Sequence, residues 1–219
     1  MFASVLQVAS GKYLVSICCT DVKPKQFPKT GVSVGLHFGI KILAMTSTGE
    51  VIENHRYLEK AQRKISRLQR QLSRKPRDSK NRKKARIKLA RAYEKVSNRK
   101  MDTLQKTTTQ LVRNYDVICV RNEELLKMIR ERPYAYYLSD ASWGEFSSQL
   151  EYKCRWYDKR FIKIETRYPS VQLCNVCGYK NSKLVNQKIH KWTCPKCETD
   201  HERAKNAAIN TLAEGLRKL

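Results

Sequence analysis

Polar and apolar positions alternate along the first thirty residues. Ser4-Val5-Leu6-Gln7-Val8 and Tyr13-Leu14-Val15-Ser16-Ile17 flank Ser10-Gly11-Lys12, a pattern that predicts two strands joined by a tight turn. Asp21 to Thr30, punctuated by Pro24 and Pro28, reads as a linker. A second β unit runs from Val32 to Ile52. In it Val32-Ser33-Val34-Gly35-Leu36-His37-Phe38-Gly39 leads to Ile42-Leu43-Ala44-Met45, and Thr48-Gly49 turns the chain into Val51-Ile52.

From about Leu58 to Val112 the period changes. Leu58, Ile65, Leu68 and Leu72 fall at helical spacing, as do Ile87, Leu89, Ala92, Val96, Leu104 and Leu111. Pro76-Arg77-Asp78-Ser79 interrupts the run, so a helical hairpin is expected. Asp116-Val117-Ile118-Cys119-Val120 is a short apolar run of the kind that forms a buried central strand. Asn122 to Tyr137 is irregular, with a break at Pro133. A helix is expected from Ser139, its cap, with Trp143, Phe146, Leu150 and Trp156 as its core face. Phe161-Ile162-Lys163-Ile164 predicts another strand. Ala204 to Leu219 predicts a closing helix with Ala207, Ala208, Ile209, Leu212 and Leu216 inside.

Charge changes this picture. The 219 residues, enough for one large or two small domains, carry 45 Lys and Arg against 20 Asp and Glu, a formal charge of +25. Self-repulsion of that size implies a polyanionic partner. No segment is long and apolar enough to span a bilayer, and Met1-Phe2-Ala3-Ser4 opens no secretory signal. A cytoplasmic protein with nucleic acid, not membrane, as partner is the reading that follows. The charge concentrates on the helical hairpin. Arg63, Lys64, Arg67, Arg70, Arg74, Lys75, Arg77, Lys80, Arg82, Lys83, Lys84, Arg86, Lys88 and Arg91 occur with only Asp78 among them. A solvated helix face is usually mixed in sign. A nearly acid-free one is the electrostatic footprint of a phosphate-facing surface.

Four of the eight cysteines form two C-x-x-C pairs, Cys174 with Cys177 and Cys194 with Cys197, at the spacing of a zinc ribbon. Four thiolates hold Zn²⁺ tetrahedrally and leave no open position, so one structural Zn²⁺ is expected. Gly178 and Pro195 suit tight knuckles, and His190 and His201 are competing ligands that a four-cysteine site does not need. Cys18, Cys19, Cys119 and Cys154 lie in apolar runs and read as core residues.

Several segments recur in order: Gly35-Leu36-His37-Phe38-Gly39-Ile40-Lys41, the basic helices with Leu72-Ser73-Arg74-Lys75 and Ser79-Lys80-Asn81-Arg82, Asp116-Val117-Ile118, Ser139-Asp140-Ala141-Ser142-Trp143-Gly144-Glu145-Phe146, the four cysteines, and His201-Glu202-Arg203-Ala204-Lys205-Asn206-Ala207-Ala208. Together they resemble the RuvC-like half of TnpB (OrfB), the transposon-encoded RNA-guided DNA nuclease, and compact type V CRISPR effectors. The resemblance implies an α/β, RNase H-like (RuvC) fold over residues 31–166 with a helical insertion at about 55–113. A zinc ribbon over 167–201 and a final helix over 202–219 follow. Residues 1–30 are expected to be a β-barrel fragment, entered midway.

In that family three carboxylates bind divalent metal and cut DNA. The matching positions here are His37, Arg121 and Ala204, none of them an acid. An imidazole suits softer metals than magnesium, a guanidinium sets a fixed cation where a dication must sit, and a methyl offers nothing. Glu123 and Glu202 lie two residues from Arg121 and Ala204, but neither replaces an acid at His37. The resemblance therefore implies a nuclease-dead protein that binds guide RNA and target DNA and represses transcription by occupancy, with a separate chain that supplies the missing N-terminal half as a candidate partner. A non-functional transposon relic and a general nucleic-acid-binding protein are the alternatives.

Overall fold

The computed structural model describes residues 2–20, 22, 24–122, 142–186 and 188–219. The break at Pro133, the cap Ser139 and the acid Glu123 lie outside them. The described chain divides into two units, residues 1–25 with 56–105, and residues 26–55 with 106–219.

In the first unit β1 (Phe2–Gln7) pairs antiparallel with β2 (Tyr13–Cys18). Gly11 makes the turn at φ 84°, and its N–H reaches the Val8 carbonyl at 2.9 Å. Every residue of both strands is exposed, and so are Cys18 and Cys19, against the expectation that these thiols are core. A two-stranded sheet has no second layer of its own to cover its faces. Lys12 pairs with Glu94 at 3.1 Å, and Arg91 Nε donates to the Ser10 carbonyl at 3.2 Å, fixing this hairpin to the long helix.

The helical hairpin is α1 (Tyr57–Ser73) and α2 (Lys80–Asn114). Its break falls at Pro76 to Ser79 as the sequence indicates. Asp78 takes a left-handed φ of 64°, and Ser79 Oγ caps α2 by accepting the Arg82 N–H at 3.1 Å. Ile65 is buried, Gln69 Nε2 donates to Tyr93 Oη at 2.9 Å, and Tyr57 Oη meets Thr103 Oγ1 at 2.8 Å.

In the second unit five strands form a mixed sheet in the order β5-β4-β3-β6-β7. These are β3 (Ser33–Phe38), β4 (Ile42–Thr46), β5 (Val51–Glu53), β6 (Val117–Arg121) and β7 (Arg160–Ile164). β3, β6 and β7 run parallel, and β4 and β5 are antiparallel additions. Buried Val34, Leu36, Ile118 and Val120 make the central strands apolar on the face shared with Phe38.

Alternation sends side chains of β3 to two sides. On one, Phe38 packs against Trp143 and Phe146 of α3 (Trp143–Trp156), with ring centroids 5.9 and 5.8 Å away. On the other, Gly35 lies under α4 (Arg203–Arg217). A Cβ at Gly35 would stand 2.2 Å from the Ala208 carbonyl oxygen, and one at Gly215 would stand 2.3 Å from Cys119 Sγ. Absence of a side chain at both lets helix and sheet backbones approach.

Two residues expected inside are outside. Trp156, in the last turn of α3, is 56% exposed, and Leu216 of α4 is 41% exposed. α4 instead buries Asn206, Asn210 and Thr211. Their polar atoms are paired: Asn206 Nδ2 and Asn210 Nδ2 each donate to the Leu173 carbonyl at 2.7 Å, Asn210 also to Ser170 at 2.8 Å, and Thr211 Oγ1 to Ala207 at 2.8 Å. A buried polar group so satisfied costs little. Among the described residues no helix is long and apolar enough to cross a membrane.

Candidate functional site

The second unit carries a cysteine cluster ahead of α4. Cys174 Sγ lies 3.6 Å from Cys197 Sγ, Cys177 Sγ lies 3.6 Å from Cys194 Sγ, and all four sulfurs fall within 4.8 Å of one another. A zinc tetrahedron with Zn–S of about 2.3 Å has sulfur–sulfur edges of about 3.8 Å, so the donor set fits that ion in identity and size. The two knuckles are built alike. Cys174 N–H donates to Tyr179 and Cys194 N–H to Thr199, both at 2.9 Å; the Gly178 and Glu198 N–H groups return to Cys174 and Cys194, also at 2.9 Å. Gly178 takes φ 71° and Glu198 φ 58°. The second knuckle thus puts a glutamate where the first uses glycine. Between β8 (Lys191–Thr193) and β9 (Asp200–Glu202), Trp192 faces His201. Leu184 and Trp192 pack on Cys174 and Cys194 to close a small core.

Thiols this close do not titrate independently. Thr199, through its hydroxyl and its backbone, draws Cys197 down to about 6. The Tyr179 N–H favours a thiolate at Cys177, yet burial and the thiols of Cys197, Cys194 and Cys174 push it up to about 12. A dication removes that conflict by stabilising all four thiolates at once.

α4 is clasped to the first knuckle: Asn175 N–H donates to Asn206 Oδ1 at 3.0 Å while Asn206 also holds Leu173. Arg203 Nη1 reaches the Asn186 and Ile189 carbonyls at 2.6 and 3.3 Å. Of the two histidines near the cluster, His190 is exposed, whereas His201 is buried with Nε2 3.1 Å from Cys174 Sγ.

His37 and Arg121 come together although they are far apart in sequence. Gly35 pairs with Cys119 and Leu36 with Val120, so one further step of the register sets His37 beside Arg121 at the carboxyl ends of two parallel strands. Both share the face on which α4 packs, and Ala204 lies in the first turn of that helix. The carboxyl edge of parallel strands is where open α/β sheets place their sites. Burial, then Arg121 and Arg203, lower the His37 imidazole to about 4, which leaves it neutral at physiological pH. Glu202 is exposed at the end of β9.

On the hairpin, Arg63, Arg67, Arg70 and Arg74 are exposed at spacings of four, three and four, one stripe of α1. Lys64, Lys75, Lys80, Lys83, Lys84 and Arg86 are exposed as well. Arg82 differs: its Nη1 donates to the Leu72 and Lys75 carbonyls at 3.1 and 2.9 Å, closing the carboxyl end of α1. Composition alone could not separate it from its neighbours. Gln71, Arg74, Lys75, Asn81, Lys84 and Lys88 border an open cleft of about 480 Å³ between the helices.

A mixed α/β unit carrying a metal-competent cysteine cluster, with a cation-faced helical hairpin, defines a class of strongly basic α/β proteins. The chain belongs to the TnpB/OrfB family. Residues 16–128 match the OrfB family of IS605 elements, described as "Probable transposase", and residues 143–211 match the family described as "Cas12f1-like, TNB domain". It is 38% identical to a "Putative RNA-guided DNA endonuclease" of Streptomyces pristinaespiralis, across 94% of this chain and 51% of that one. It is 30% identical to the InsQ protein of Escherichia coli K12, of the same description, across 94% and 54%. Its fold is similar to that of Cas12f1 in a cryo-EM complex with sgRNA and target DNA, at a TM-score of 0.60 and 16% identity, covering 96% of this chain and 55% of that one. The chain spans about half the length of the relatives it matches.

Proposed function

We propose that this chain is a nuclease-inactive member of its family that binds a guide RNA and matching DNA without cutting, and that it represses transcription by occupying its target. The unit around β3 and β6 acts as an RNase H-like (RuvC) domain whose metal site is no longer acidic. Residues 1–30 serve as part of a β-barrel. Cys174, Cys177, Cys194 and Cys197 hold one Zn²⁺, a structural ion with no open position.

The observation that carries the reading is the charge at the carboxyl edge of the sheet. His37, Arg121 and Ala204 offer no carboxylate there, and His37 is held neutral with a pKa of about 4 by burial and two arginines. Two-metal cleavage needs anionic oxygens to hold Mg²⁺ and orient water. Arg121 and Arg203, whose charges act on His37, add fixed positive charge where a dication would sit. Arg63, Lys64, Arg67, Arg70, Arg74, Lys75, Lys80, Lys83, Lys84 and Arg86 grip phosphates, while base pairing with the guide supplies sequence. Arg82 supports them by closing α1. The protein then works in the cytoplasm, on the nucleoid.

RNA that co-purifies with the protein from its own cells, once sequenced, should contain a defined guide, and the complex should shift DNA matched to that guide over mismatched DNA. Heterogeneous RNA with no preference between the two DNAs would overturn the proposal.

A further inference from the structure

His201 is buried, 8% exposed, and does not serve as one of the four cysteine-cluster donors. Its Nε2 lies 3.1 Å from Cys174 Sγ, and its ring rests on Trp192, directly opposite in the β8–β9 pair, with centroids 4.5 Å apart. That contact, with the rings tilted by 34°, holds the imidazole in place. Cys174, 2% exposed, is among the thiols most removed from water, so a hydrogen-bond donor beside it is worth more than at the surface. Cys197 has a weaker counterpart in the Thr199 hydroxyl, 3.4 Å from its sulfur.

We propose that His201 is a positioning residue for the metal: its ring donates Nε2–H to the Cys174 thiolate, strengthening the site and keeping it all-cysteine. This rests on the reading of the cluster as a Zn²⁺ site. A thiolate that accepts a hydrogen bond carries less net charge, so four of them crowd one dication with less mutual repulsion. The donor also orients the sulfur. Partners behind the ligands typically govern metal affinity by about 10- to 100-fold. β9 runs straight into α4, so the same contact ties the cluster to the turn that carries Arg203 and Ala204.

Two substitutions separate the N–H from the ring. His201→Phe keeps an aromatic on Trp192 and loses the donor; His201→Gln keeps a donor and loses the ring. Metal content, competition with a chromogenic chelator and the absorption of Co²⁺-substituted protein are measured on all three proteins. One metal per chain is expected throughout, with a four-thiolate cobalt spectrum. His201→Phe should bind Zn²⁺ at least about 10-fold more weakly, and His201→Gln should recover part of that loss. Equal affinity in wild type and His201→Phe would overturn the proposal, as would equal losses in both variants, which indicate packing alone. A wild-type cobalt spectrum with three thiolates and one nitrogen would overturn it by making His201 a ligand. Wild-type protein that binds no metal at all would instead overturn the metal-site reading.

Discussion

Gly35→Ala tests how the last helix is seated on the sheet. The added Cβ would stand 2.2 Å from the Ala208 carbonyl oxygen, 2.7 Å from Leu212 N and 2.8 Å from Leu212 Cβ. Comfortable separations are about 3.5–4.0 Å, so α4 has to retreat by roughly 1 Å. The obstacle is helix backbone, which cannot rotate aside as a side chain can. A retreat of that size forfeits a quarter to a half of the van der Waals attraction beneath buried Ala207, Ala208, Thr211 and Gly215. Overpacking typically costs about 1–3 kcal/mol, and alanine recovers about 0.5 kcal/mol by stiffening the unfolded chain. A net loss of about 1.5 kcal/mol is expected, or roughly 3–6 °C in Tm for a chain of this size. Urea denaturation followed by tryptophan fluorescence and far-UV circular dichroism measures it. Gly178→Ala is the control: φ is 71° with open space around it, so only the left-handed backbone is penalised, by about 1 kcal/mol. Gly35→Ala within 0.5 kcal/mol of wild type (an approximate limit, about the scatter of neutral substitutions) would refute this account of helix packing.

Asp116 accepts from the Thr30 and Gly31 N–H groups at 2.9 and 2.6 Å and pairs with the fully buried Lys159 ammonium, which also donates to the Pro28 carbonyl. Burial alone would raise the Asp116 carboxyl; Lys159 and the two N–H groups outweigh it and hold the pKa below its ordinary value. Asp116→Asn strands a buried cation and should cost about 3 kcal/mol. Because the native pKa is the lower one, that stabilisation is present above the unfolded value of about 4 and fades as pH falls below it. Chemical denaturation of both proteins at pH 7 and pH 3 should therefore show a gap that narrows in acid, and a gap that widens would refute the pairing. Glu198→Gly relieves a left-handed glutamate in the second knuckle and should raise stability by about 1 kcal/mol, read as a higher Tm at constant metal content; a lower Tm would show that the Glu198 side chain has a role of its own.

The local elements were legible where one period ran uninterrupted. The two alternating strands before Cys19, the helical spacing on either side of Pro76, and the short runs at Val117 and Phe161 each declare their geometry. The cysteine pairs declared the cluster by spacing alone. Less visible was any polar residue whose partner lies far along the chain. Lys153 is buried with Nζ at 2.7 and 2.8 Å from the Thr108 and Thr109 hydroxyls, and burial lowers it to about 8. Lys159 is buried against Asp116. Asn206 and Asn210 enter the core of α4 because carbonyls 33 to 40 residues earlier await them. Reading polar as outward misassigns all four. Trp156 and Leu216 fail the other way: each sits in the final turn of its helix, where the apolar stripe runs past the end of what it packs on. Arg82 and the arginines beside it carry one charge pattern, and only the two carbonyls at the end of α1 distinguish its role.

The grouping of His37, Arg121 and Ala204 came from family motifs; the parallel register of β3 and β6 reaches Leu36 and Val120, the neighbours of the first two. The charge at that edge is the central claim. The most direct measurement incubates the purified protein, with its guide RNA, on matched and mismatched DNA in Mg²⁺ or Mn²⁺, scoring binding and strand cleavage side by side. Selective binding of the matched DNA, unchanged when Mg²⁺ and Mn²⁺ are left out and with every strand intact, is the expected result. Metal-dependent cleavage of the matched DNA, lost on Glu202→Ala, would contradict it.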